Sequence, residues 1–150
     1  MPSSFSSSVE ASEDILIHSE LGKCFSFFTD LTNIGRCIPG CEEVRALEQN
    51  RAIFRVKVKV GYISKMFEMR AKLKEIRANE HVSFGAEGTD AEINGEVDFL
   101  PAENNQVKIS YTITIKPLSL TGRTAVSMLG KDLVKKQASE FASCVKQRLE

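Results

Sequence analysis

The stretch from Leu120 to Leu149 contains no proline and constrains the fold more than any other part of the chain. Val126, Leu129, Leu133, Phe141, Val145 and Leu149 recur at steps of three, four or eight, with Ala138 filling the gap. That spacing places them on one stripe of a single helix. Lys131, Asp132, Lys135, Lys136, Glu140, Lys146 and Arg148 fall mostly on the other side. Pro117 has no N–H for a ladder and stops the strand before it. At 1.5 Å per residue the helix is a rod of about 45 Å. Almost everything upstream reads as strand, so the helix is expected to lie across a sheet.

Upstream the period is two. The first strand is read over Val9–Ile17, with Ile15 and Ile17 on its buried side. Glu42–Leu47 follows, then Arg51–Val60, which sets Phe54, Val56, Val58 and Val60 against Arg55, Lys57 and Lys59. Ile63–Ile76 sets Phe67, Met69, Ala71 and Leu73 against Glu68, Arg70, Lys72 and Lys74. Val82, Phe84 and Ala86 mark the next inward set, and Ile93, Gly95, Val97 and Phe99 the one after. Gln106–Lys116 closes the series with Val107, Ile109, Tyr111, Ile113 and Ile115 on one face. Turns are expected at Gln49-Asn50, Gly61-Tyr62, Ala78–Glu80, Gly88–Asp90 and Pro101–Asn105.

Two short helical pieces separate the first strand from the second. One runs through Cys24–Phe28 with Ser19 as a candidate N-cap, and the other covers Asn33–Ile38 before Pro39-Gly40 breaks it. The short connections among the later strands predict an antiparallel meander with one apolar face. That face needs a cover, and the final helix is the long element available. The expected fold is α+β: a curved seven-stranded antiparallel sheet around a C-terminal helix, with the two short helices closing one end. Serine-rich residues 1–8 read as a flexible tail and residues 9–150 as one domain.

A curved sheet over one helix leaves a concave apolar space. Its expected lining is Phe54, Val56, Val58, Phe67, Met69, Phe84, Ile93, Val97 and Tyr111, facing Val126, Leu129 and Leu133. Phe25, Phe28, Ile34 and Ile38 are placed at its gate. Each of these side chains serves equally as plain core. The hydroxyl of Tyr111 has two uses open to it, orienting a ligand carbonyl or reaching a backbone group. Gly35 and Gly40 flank the Arg36–Cys41 loop and either let it move or terminate the helix.

The 20 basic and 20 acidic residues cancel, which removes bulk charge as a reason to bind nucleic acid. The charges are nonetheless segregated: Arg51–Arg77 is strongly basic, and His81–Glu103 is acidic without Lys or Arg. Arg55, Lys57, Lys59, Arg70, Lys72 and Lys74 form a candidate partner surface for a protein or for membrane headgroups. Single-stranded nucleic acid is not expected there, because no exposed aromatic row accompanies these cations. No apolar run reaches the length of a membrane span, and no signal-peptide core precedes the first strand, so a cytoplasmic location is expected. Cys24, Cys37, Cys41 and Cys144 then read as reduced thiols.

Catalytic patterns are missing from this reading. His18 and His81 are expected at the surface at strand ends, and Cys37 and Cys41 do not have metal-site spacing. No catalytic residue, metal ligand or cofactor is indicated. Glu92, Glu96 and Asp98 share a strand face, but it is the one assigned to solvent.

The segment Asp30-Leu31-Thr32-Asn33-Ile34-Gly35-Arg36-Cys37-Ile38-Pro39-Gly40-Cys41-Glu42 resembles the signature of the CoxG family, named for a component of carbon monoxide dehydrogenase. Phe54–Tyr62, Lys65-Met66-Phe67 and the spaced glycines of Gly85–Gly95 continue the resemblance, which runs from about Ser12 into the final helix. It implies membership of the helix-grip superfamily, together with the birch pollen allergen, START-like lipid-transfer domains and polyketide cyclases. It also implies an internal cavity for an apolar molecule, of lipid or quinone class. The family is associated with maturation, membrane recruitment or quinone coupling of a molybdenum-containing carbon monoxide dehydrogenase. Some members are anchored by a C-terminal extension; the sequence ends at Glu150 without one, so anchoring by that route is not expected. Two functions follow as expectations. One is a non-enzymatic carrier of an apolar molecule, and the other is an accessory factor for a redox enzyme, ahead of a cyclase-like enzyme.

Overall fold

The computed structural model describes residues 8–48, 50–60 and 62–150, without the side chains at positions 60, 63 and 128–133. Residues 1–7 of the expected tail, and Gln49 and Gly61 of two expected turns, lie outside the described residues. The elements run β1 (Val9–Ile17), α1 (Leu21–Phe28), α2 (Leu31–Cys37), β2 (Cys41–Leu47), β3 (Arg51–Val60), β4 (Ile63–Arg77), β5 (His81–Glu87), β6 (Ala91–Ala102), β7 (Gln106–Pro117) and α3 (Leu120–Leu149). The sheet has seven strands in the order β1-β7-β6-β5-β4-β3-β2. Every neighbouring pair is antiparallel. Strands β2 to β7 form the expected meander, and β1 adds to the far side of β7.

Local chemistry explains the turns and bends. Asn50, Asn79, Asn104 and Asn105 take φ values near +60°, which asparagine tolerates better than most side chains. The register slips by one residue at Cys41/Glu43 and again at Leu73/Glu75. Such bulges sharpen the twist of the strand that carries them. Gly95 pairs with Phe84 across β5 and β6, and the Phe84 ring fills the space where a Cβ at Gly95 would stand.

The helix starts differ from expectation at α1 and α2. Helix α1 is preceded by Glu20, not Ser19, and has no side-chain cap. Asp30 caps α2, its carboxylate accepting from the Thr32 N–H at 2.9 Å, so the helix begins two residues before the apolar spacing suggests. Helix α3 starts from Ser119, whose Oγ accepts from the Gly122 N–H at 3.0 Å and donates to Asp90 Oδ1 at 2.7 Å. One hydroxyl thus caps the helix and fastens it to the β5–β6 turn. The approach is close: the Asp90 carbonyl occupies the place of a Cβ at Gly122.

Val126, Val134, Ala138, Phe141, Val145 and Leu149 form the buried stripe of α3. Among the described residues the helix backbone lies mainly against β1, with fewer approaches to β7, while α2 packs on β2. The inner face of β3 to β6 therefore lies under no backbone of comparable closeness. Val56, Phe67, Ile93 and Ile113 point inward yet are only half-buried. They face a void.

The cysteines are corrected. Cys37 and Cys144 are joined by a disulfide, with Cα atoms 5.4 Å apart and a sequence separation of 107. Only Cys24 and Cys41 are free, and burial pushes both thiols above the ordinary cysteine pKa. The bridge ties the end of α2 to α3, a pairing that local spacing has no means of showing. His81 is corrected as well. It is 7% exposed, not a surface residue. Its Nδ1 lies 2.7 Å from Asp98, and its Nε2 lies 3.0 Å from Glu96 and 3.4 Å from Glu75. The acids of neighbouring strands close over the ring and keep it from solvent. His18 is exposed as expected, its backbone N–H donating to Glu150 Oε2 at 2.9 Å.

Candidate ligand cavity

A cavity of about 190 Å³ lies between α3 and the inner face of the sheet. Strands β3 to β7 supply Phe54, Val56, Val58, Phe67, Met69, Phe84, Ile93 and Tyr111 from the expected lining, and α3 supplies Val126. Their inward direction follows from the alternation along each strand. Val97 does not join them: it is 1% exposed and packed in the core. The side chains of Leu129 and Leu133 lie outside the described residues.

The gate is smaller than expected. Ile34 and Ile38 line the cavity, joined by Pro39. Phe28 does not; it is fully buried among Phe27, Phe99 and Phe141, with ring centroids 5.3, 5.6 and 6.5 Å away. Phe25 stacks edge-on against Phe99 at 5.7 Å. These aromatic rings anchor α1 to the sheet, leaving the end of α2 as the wall of the opening.

That wall is held firmly. A Cβ on Gly35 would lie 2.6 Å from Val44 Cγ2 and 2.8 Å from Phe54 Cε1, so the missing side chain lets α2 press onto β2 and β3. Gly40 has φ of +85°, and its carbonyl accepts from the Lys57 N–H at 2.8 Å. Both glycines serve close approach and backbone geometry. Cys37, between them, is bridged to α3.

Sequence reasoning missed the α3 contributions Ala125, Val134, Gln137, Ala138 and Phe141 as lining. A helical period of 3.6 admits either Leu133 or Val134 to the same stripe, and the apolar pattern alone does not choose. Gln137 interrupts that pattern and so falls outside any apolar count. Its polarity inside the stripe is the signal that could have found it.

The described lining contains two hydrogen-bonding side chains, Tyr111 and Gln137, and no charged one. The Tyr111 hydroxyl donates to the Ala138 carbonyl, and its ring meets Phe141 edge-on at 5.2 Å. Burial, aided by the negative charge of Glu13, pushes the phenol pKa far above its ordinary value and keeps the group neutral. Of its two possible uses, the backbone has taken the donor.

The outer face carries the expected partner surface in two parts. Arg55 pairs with Glu43 at 3.6 Å and Lys57 with Glu42 at 3.9 Å, so β2 compensates this end of β3. Arg70, Lys72 and Lys74, with Arg51, line a separate groove of about 360 Å³. Lys74 donates to Asn94 Oδ1 at 2.7 Å, over Gly85. Arg51, Arg70 and Lys72 make no ion pair among the described residues. Lys59 lies outside this groove. No group of three or more His, Cys, Asp or Glu side chains suited to a metal ion occurs among the described residues. No helix among them is long and apolar enough to cross a membrane.

Comparison with known families matches residues 14–150 to CoxG, a component of carbon monoxide dehydrogenase. The chain belongs to the CoxG family. No curated protein matches it. Among solved structures, a conserved protein from Geobacillus kaustophilus superposes with a TM-score of 0.74 at 14% identity, covering 94% of this chain and 95% of the other. The Zhui aromatase/cyclase from Streptomyces sp. R1128 gives 0.67 at 15% identity, over 95% and 93% of the two chains. A START superfamily protein from Mycobacterium smegmatis gives 0.62 at 12% identity, over 93% and 96%. These likenesses establish the helix-grip fold, which this CoxG family member shares with START-like proteins and an aromatase/cyclase. The fold is suited to holding a small hydrophobic molecule.

Proposed function

We propose that the protein is a non-enzymatic carrier that holds an apolar small molecule, of lipid or quinone class, between the sheet and α3. The observation that carries this reading is the 190 Å³ cavity and its almost wholly apolar described lining. Burial of apolar ligand surface, at about 25 cal/mol per Å², supplies the affinity. The lining brings no nucleophile–base pair and no paired carboxylates together among the described residues, which favours holding over transforming. The fold does not choose between these roles, since an aromatase/cyclase and a START protein share it. Release would pass the Ile34–Pro39 wall.

The test is native extraction of the expressed protein followed by mass spectrometry of the extract. One stoichiometric apolar species supports carriage. A clean extract, repeated after incubation with a mixture of lipids and quinones, ends the carrier reading.

One observation favours a second role. Arg51, Arg70 and Lys72, without ion pairs among the described residues, line a groove on the outer face, a suitable landing for an acidic surface. Family membership makes the acidic partner of this second reading a molybdenum-containing carbon monoxide dehydrogenase-like enzyme, with the protein acting in its maturation or membrane recruitment. Co-purification lost when Arg70 and Lys72 are changed to Glu, with cavity binding intact, is the expected outcome.

A further inference from the structure

Gln137 is the polar exception in the cavity wall. It lies on α3 between Val134 and Phe141, both of which line the same space, and its side chain is half-buried. Its carboxamide offers two N–H donors and one acceptor oxygen. None of these has a hydrogen-bond partner among the described residues. The neighbouring polar group is already committed, because the Tyr111 hydroxyl donates to Ala138. A free donor therefore faces an apolar space at one point. Leaving such a group unpaired when a ligand displaces water costs free energy, so the ligand that fits best returns an acceptor.

Charge narrows the class further. The described lining holds no Lys, Arg or His to meet an anion and no Asp or Glu to meet a cation. An ionised head placed there would lose its hydration without a counter-charge. Size narrows it again: an engineered cavity of about 150 Å³ in another protein takes benzene. A space of about 190 Å³ suits one substituted ring or a short chain rather than a two-tailed lipid.

We infer that Gln137 is the specificity-determining residue of the cavity, selecting an uncharged, single-ring-sized apolar molecule whose carbonyl oxygen accepts from its carboxamide. This inference rests on the carrier reading above and specifies the ligand head that reading leaves open.

The test uses the full chain and three probes of matched size, ethylbenzene, acetophenone and benzoate, titrated by calorimetry or by NMR shifts. Wild-type protein is expected to bind the first two and not benzoate. Gln137→Leu is expected to weaken acetophenone roughly fivefold to tenfold, the worth of one hydrogen bond, and to leave ethylbenzene unchanged. Retained ethylbenzene binding also shows that the variant is folded. If Gln137→Leu does not fold, Gln137→Glu, which keeps the shape and removes the N–H donors, is expected to show the same selective loss. Equal effects on both neutral probes, or none on acetophenone, overturn the role of Gln137 while the carrier reading stands. Benzoate binding as tightly as acetophenone overturns the neutral head. If none of the probes binds to wild-type protein, the inference falls together with the reading beneath it.

Discussion

The phenol of Tyr111 donates a hydrogen bond to the backbone carbonyl of Ala138, tying the last strand to the middle of the long helix. Tyr111→Phe removes this tie and is expected to cost about 1 kcal/mol in urea unfolding at pH 7. The alkaline behaviour separates the two proteins further. The folded phenol pKa is raised, whereas the unfolded phenol ionises near about pH 10. The stability this difference contributes is full below pH 10 and is lost as pH climbs from there toward the folded value. Wild-type stability should therefore fall above pH 10 more steeply than that of Tyr111→Phe. Parallel curves for the two proteins through that range would show that the phenol titrates normally.

The Cys37–Cys144 bridge closes a loop of more than a hundred residues. By chain entropy alone such a crosslink stabilises by about 4 to 5 kcal/mol, and measured effects usually fall below that. Cys144→Ser is expected to lose about 2 to 4 kcal/mol. Dithiothreitol should bring wild type to the level of the variant and leave the variant unmoved. An equal response of both proteins to reductant would place the effect elsewhere.

Gly35→Ala forces a methyl group against Val44 and Phe54 and lifts α2 from the sheet. Overpacking of this kind costs about 1 to 3 kcal/mol. Because Ile34 and Ile38 flank the change and line the cavity, bound ligand should also leave faster in dilution experiments followed by native mass spectrometry. A thermal midpoint and release rate equal to wild type would mean that α2 has room to spare.

His81→Ala leaves Asp98, Glu96 and Glu75 facing one another with nothing between them. The expected loss is about 1 to 3 kcal/mol in dilute buffer. These carboxylates are more than half exposed, so high salt should shrink the loss by screening their repulsion. A loss that salt does not change would trace to the missing ring alone.

The strands and the long helix are legible because a strict period of two, and one near 3.6, are written along the whole chain. Phe54, Val56 and Val58 declare their face within β3, and the structure puts them there. What escapes depends on partners distant in sequence. Nothing near Cys37 announces Cys144, and nothing near His81 announces the acids at Glu75, Glu96 and Asp98 that cover it. Phe28 has the marks of a gate because it stands on a short helix beside the opening, but its rotation into Phe99 and Phe141 is set by tertiary packing. Gln137 is legible as a polar break in an apolar stripe, yet its orientation into the cavity is decided by how the helix sits on the sheet.

The pairing of β1 with β7 sets the order in which the molecule can assemble. Val9 lies opposite Ile115 and Ile17 opposite Val107, so the strand nearest the N-terminus finds its sheet partner about a hundred residues later. The β2–β7 meander closes through short hairpins, whereas β1 must wait until β7 has left the ribosome. Its apolar side, with Ile15 and Ile17, stays uncovered through most of synthesis. The early strand is thus the segment a chaperone would hold, and its capture by β7 and α3 is the late, rate-setting event of folding.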